Sequence, residues 1–241
     1  MISMGTTPDH RDQTQAESCP LSGASAAKRQ QILAGAARVF ARQGYEGASM
    51  SGIARDAGVS KGTLYNYFES KATLFSAFVE QCACEKMPLL FSRIDEGANL
   101  TESLEHLAVA MIRLLTSPLS LMLNRIIISE AGNFPDLAET FWKHGPEKAI
   151  GILSAWLMQH NDAGVLNIPD PVFAAEQFYG LCQTRIVARA RLQLPVNTDE
   201  AHIEFIARSA VRTFLNAYLR DAPRQPPVVM ERPGSGTGST S

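Results

Sequence analysis

Residues 49–74, SMSGIARDAGVSKGTLYNYFESKATL, constrain this chain more than any other stretch, because they read as two short helices, a turn and the start of a third. Ser49 or Ser51 is suited to cap the first helix, its hydroxyl accepting an orphan amide proton. Gly58 stands where that helix must stop, since a residue without Cβ enters the left-handed region cheaply. Val59 plugs the turn and Ser60 caps the next helix, predicted over 61–68. Ile53, Ala54, Ala57, Leu64 and Phe68 supply the apolar contacts that hold two short helices at a steep angle. That arrangement is a helix-turn-helix, whose second helix is shaped to enter a major groove. Lys61, Gly62 and Thr63 open it with small or flexible polar groups, the end suited to approach a surface closely.

Charge agrees with this reading. The whole chain has a formal charge of −2, which alone argues against a nucleic-acid partner. Residues 28–71, however, contain seven basic side chains against three acidic ones, a net +4 that leaves −6 for the rest. Such an asymmetry concentrates phosphate affinity at one end, while the acidic remainder discourages indiscriminate binding.

Ile53 through Phe68, followed by Ser70-Lys71 and Leu74-Phe75, resemble the DNA-binding domain of the TetR family of transcriptional regulators, and the likeness runs over about 28–79. Further on, residues 125–130, Phe134-Pro135-Asp136-Leu137, Gly145-Pro146-Glu147 and Asp170-Pro171 with Ala174 to Phe178 are similar to the AefR-like regulatory domain. The resemblance implies an all-α homodimer, with an N-terminal three-helix DNA-binding domain and a larger helical ligand-binding and dimerisation domain. It further implies repression, an inverted-repeat operator in double-stranded DNA, and release by a small molecule. Thr63 and Asn66 are then expected at base edges, Asn being able to pair with adenine. Tyr65, Tyr67, Lys71, Ser49 and Ser51 are expected on phosphates, and Lys28 and Arg29 beside them ahead of the reading unit.

The rest of the chain divides as follows. Residues 1–27 are polar and are expected to be a disordered arm. A first helix over 28–43 carries one stripe of Ile32, Leu33, Ala36, Val39 and Phe40, ends at Gly44 and braces the reading pair. The DNA-binding domain is placed at 28–75. A fourth helix begins at Ser70 and is expected to end or kink near Met87, because Pro88 lacks an amide proton. The regulatory domain, 76–221, has helices expected over 101–116, 119–131, 134–161 with a bend at Gly145-Pro146, 171–194 and 199–219. Asn133 and Thr198 are expected as caps, and Phe141 and Trp142 are expected to face inward. The last two helices are expected to form the dimer contact, and 222–241, rich in Pro, Gly, Ser and Thr, a disordered tail.

No Gly-rich phosphate loop, nucleophile elbow or paired metal-binding histidines occurs, so neither an enzyme nor a cofactor or metal is expected. A small, mostly apolar effector is expected between helices of the regulatory domain, with Met111, Met122, Ile126, Trp142, Trp156 and Phe178 as its lining. Two alternatives stand beside it: a regulatory domain that only dimerises, and a redox switch at Cys82 or Cys182. No stretch has the length and apolarity of a membrane span and no signal peptide is evident, so a cytoplasmic protein with free thiols is expected.

Overall fold

The computed structural model describes residues 23–94 and 99–220. Among them lie α1 (Ala24–Gly47), α2 (Met50–Asp56), α3 (Lys61–Tyr67), α4 (Lys71–Phe91), α5 (Leu100–Thr116) and α6 (Pro118–Glu130). There follow α7 (Pro135–Trp142), a π turn (Lys143–Glu147), α8 (Lys148–Asp162), α9 (Pro171–Cys182), α10 (Val187–Arg191) and α11 (Glu200–Tyr218). An isolated bridge between Leu166 and Leu219 is the single β feature among the described residues. The chain is all-α. Of the arm expected over 1–27, residues 1–22 lie outside the described residues and 24–27 belong to α1; the expected tail, 222–241, lies outside them too.

Two compact units divide at Cys84 and Glu85. In the first, Ile32, Leu33, Ala36, Val39 and Phe40 of α1 are buried, as their three- and four-residue spacing predicts. Phe40, Tyr45, Phe75 and Phe78 form an aromatic cluster, with the Phe40 and Phe75 rings edge to face at 5.2 Å. The helix starts four residues earlier than its stripe suggests, at Ala24. Gly44, with φ 70° and ψ −177°, leaves helical geometry and breaks the helix where expected, and a short further helical stretch carries the chain to Gly47.

The second unit is built around one apolar cluster drawn from the end of α4 and from α5, α8, α9, α10 and α11. Leu104, Leu107, Met111, Leu153, Phe178, Cys182 and Phe214 are its buried centre. Pro88 neither ends nor stops α4, which runs on to Phe91. The lost amide bond is offset by burial of Met87 and Leu90 on either side. The expected helix over 171–194 is two helices, because Arg185 adopts φ 69°; this turn lets the adjacent Ile186 and Val187 both enter the core. Caps fall at Asn99, Ser117, Asp170 and Asp199, each accepting an amide proton of the first turn. Asp199 takes the place expected of Thr198, and α7 starts without the side-chain cap expected from Asn133. No single described helix is long and apolar enough to cross a membrane.

Candidate nucleic-acid interface

α3 is fixed from one side and open on the other. Leu64 and Phe68 are buried, whereas Lys61, Gly62, Tyr65 and Asn66 are exposed. Ser60 accepts the Thr63 amide proton at 3.0 Å, and the two hydroxyls share a further hydrogen bond at 2.8 Å. The Thr63 hydroxyl is therefore partly committed to the cap, while the Asn66 amide stands on the open face. Lys61 lies over the Tyr65 ring at 5.8 Å, a cation–π pair that steers both side chains along that face. Ser49 accepts the Gly52 amide proton at 3.1 Å and Ser51 is exposed, so both hydroxyls lie at the start of α2.

Four residues of α1, in contacts that local patterns did not disclose, hold the end of α2 to α1. Gly35 packs so closely on α2 that a Cβ there would sit 2.6 Å from the Cβ of Ala57. The Gln31 side chain donates to the Ala57 carbonyl at 2.6 Å and accepts from Lys28 Nζ at 2.8 Å, which engages Lys28 in this brace. Arg38 and Arg42 both bind the Asp56 carboxylate, and Arg38 also donates to the Asp56 carbonyl at 3.0 Å. Arg42 first and Arg38 second hold the Asp56 carboxyl below its ordinary range. Three of the charges behind the basic surplus thus answer one another.

The remaining expected residues are placed unevenly. Arg29 lies on α1 proper, its guanidinium 5.4 Å from the centre of the Phe68 ring. Tyr67 is half-buried and its phenol oxygen accepts from the Ser25 hydroxyl at 3.4 Å. Lys71, expected on phosphate, donates instead to the Tyr45 carbonyl at 2.7 Å and the Glu46 carbonyl at 3.2 Å, with its ammonium 4.4 Å from the Tyr45 ring centre. A cation at the carboxyl end of a helix satisfies carbonyls left without amide partners. Lys71 therefore ties the start of α4 to the end of α1.

In the second unit the six expected lining residues part company. Met111, Trp156 and Phe178 belong to the main apolar cluster. Met122 and Ile126 of α6 are buried, yet among the described residues nothing from α6 or α7 joins that cluster. Trp142 is 52% exposed, so it does not face inward as expected, and Phe173 on α9 is 53% exposed. Trp142 stands five residues past buried Leu137 on α7, about 140° around the helix, and so off its buried face. Cys182 is fully buried, and burial pushes its thiol far above the usual range, a poor setting for a reactive thiolate.

Known proteins share this architecture. Residues 32–78 match the family described as bacterial regulatory proteins, tetR family, and residues 102–220 match the AefR-like transcriptional repressor C-terminal domain. The uncharacterized HTH-type regulator TtgW of Pseudomonas putida is 33% identical over 100 residues, covering 42% of this chain and 72% of TtgW. The chain belongs to the TetR family. The structure of the flavonoid-responsive regulator FrrA is 33% identical, with a TM-score of 0.71 over 82% of this chain and all of FrrA. The repressor AcnR of Corynebacterium diphtheriae is 41% identical over 56 residues, 23% of this chain and 30% of AcnR, so this chain spans under a third of that relative. As a TetR-type regulator the chain is a DNA-binding transcription factor of helix-turn-helix design.

Proposed function

We propose that this TetR-type regulator is a cytoplasmic repressor that binds an inverted-repeat operator as a homodimer and is released by a small, mostly apolar effector. The observation that carries the reading is α3 itself: anchored by buried Leu64, it turns Lys61, Gly62, Tyr65 and Asn66 outward together. Two copies presented by a dimer would lie in successive major grooves, which requires a two-fold symmetric target. Asn66 and Thr63 read base edges; Lys61, Tyr65, Tyr67, Ser49, Ser51 and Arg29 meet the backbone. Lys71 acts as a positioning residue, since its donors already serve the carbonyls of Tyr45 and Glu46. α9 leaves Val172 and Phe173 uncovered, an apolar face suited to a second copy.

The effector would lodge between the main cluster, with Met111, Trp156 and Phe178, and the separate apolar layer of Met122 and Ile126 on α6. Trp142, being exposed, would stand at its edge. FrrA's responsiveness to flavonoids supports an aromatic molecule of that size. Such a ligand lowers DNA affinity only if it binds the DNA-competent and DNA-incompetent conformations unequally. A redox switch at Cys182 has less support, because its thiol is sealed and held protonated.

Selection of bound duplexes from a random pool tests the reading. It should return an inverted repeat, and Asn66→Ala should change the preferred base at one symmetric pair of positions by about 1–3 kcal/mol. Lys71→Met should weaken every sequence by the same factor while leaving the salt dependence nearly intact. No preferred duplex would overturn the regulatory reading, and a monomer in sedimentation at micromolar concentration would remove the dimer.

A further inference from the structure

The seven cations of residues 28–71 are unevenly committed. Arg38 and Arg42 bind the Asp56 carboxylate, Lys28 donates to Gln31, and Lys71 donates to two backbone carbonyls. Arg29 and Lys61 lie over aromatic rings. Arg55 differs from all six: its guanidinium has no hydrogen bond, ion pair or ring contact among the described residues, and the side chain is exposed.

The acid next to it in sequence is turned away. Asp56 faces α1, where Arg38 Nε holds one carboxylate oxygen at 2.7 Å and Arg42 binds the other. The two α1 arginines therefore do more than brace α2, since they keep the adjacent carboxylate from neutralising Arg55. Gly52 and Gly58, three residues to either side, have no side chain to cover it. Ser51, one turn earlier on α2, is exposed with Arg55, whereas Ile53 and Ala54 between them are buried. A hydroxyl and an unanswered cation thus share the open face of α2.

In a helix-turn-helix the second helix lies in the major groove and the first crosses the sugar-phosphate backbone. We infer that Arg55 grips a DNA phosphate, one turn along α2 from Ser51. This rests on the DNA-binding reading given above and adds to it a contact residue and the means by which its charge is kept available. A guanidinium can hold two phosphate oxygens at once, and every duplex offers them. Arg55 accordingly contributes affinity and salt dependence but no base preference.

Fluorescence anisotropy with the full chain tests the contact, using two labelled duplexes: one from the random-pool selection and the same bases shuffled. Over about 50 to 200 mM KCl, the slope of log affinity against log salt should become shallower in Arg55→Gln by about 0.9 for each copy bound. Both duplexes should lose affinity by the same factor, on the order of tenfold per copy near 0.1 M salt. Arg55→Lys should keep the parent slope, because counterion release counts charges. Both variants should melt with the parent, since the side chain braces nothing. A slope unchanged in Arg55→Gln overturns the contact, as does an Arg55→Lys slope that falls equally far. A loss confined to the selected duplex also overturns it, by placing the side chain at a base edge, and so does an Arg55→Gln protein that melts well below the parent, by showing an internal role. A parent protein without salt dependence on either duplex is a separate result, which removes the DNA-binding reading and Arg55 with it.

Discussion

The unit ending at Cys84 and the unit beginning at Glu85 are both helical, yet they are held together by different means. In the first, a small core led by Phe40, Phe75, Leu64 and Leu74 is supplemented by named polar contacts and one close approach: Gly35 on Ala57, Gln31 to the Ala57 carbonyl, Arg38 and Arg42 on Asp56, Lys71 on the end of α1. In the second, a continuous apolar cluster does the holding, and its exposed ion pairs, such as Arg113 with Glu200, lie at the surface. A reading head must present a few atoms at fixed positions, which directional contacts achieve. A regulatory body needs cohesion that survives a change of shape, which non-directional burial provides.

The contrast is open to direct attack. The largest expected effect is in the second unit: Phe214→Ala, at a side chain only 1% exposed and packed edge to face on Phe178, should lose about 3–5 kcal/mol in chemical denaturation. A loss below that of any polar deletion in the first unit would end the distinction. Next comes Gly35→Ala, which adds a single methyl group yet should cost about 1–3 kcal/mol through overpacking. It should weaken operator binding, while the second unit retains its own unfolding transition. Tolerance of this alanine would show that the α1–α2 approach is not a constraint.

The smallest effect concerns acid. The Asp56 carboxyl is held below its ordinary range by Arg42 and Arg38, so its contribution is complete above the unfolded value, near pH 4, and fades as pH falls through the lowered folded value. Urea melts at about pH 5 and about pH 2.5 should therefore converge on those of Asp56→Asn at the acid end. The group is exposed enough for this difference to be slight and to shrink with salt. An Asp56→Asn protein as stable as the parent at pH 5 would show that the two arginines contribute nothing.

How far the chain could be read in advance follows the same division. Ser49, Gly58, Ser60 and Leu64 announce their roles because each acts on residues a few positions away. Gln31, Arg38 and Arg42 act across the chain on Ala57 and Asp56, and no local pattern pairs them. Gly35 did leave a signal, a glycine within the alanine-rich run AGAA, where helix propensity alone would favour alanine. Lys71 was read as a surface cation because its partners are carbonyls of another helix. In the second unit, Met111, Trp156 and Phe178 follow the apolar period into the core, and Trp142 does not, because it lies about 140° around α7 from the buried Leu137.

That wide turn at Lys143–Glu147 has an evolutionary side. An inserted residue in an α-helix rotates everything downstream by about 100°. Here the surplus residue is absorbed where Gly145 and Pro146 tolerate it, so Ile150, Leu153 and Trp156 keep their bearing however the preceding segment drifts. The stretch works as a mechanical clutch: a change of phase in α7 can be taken up there without turning the packed face of α8.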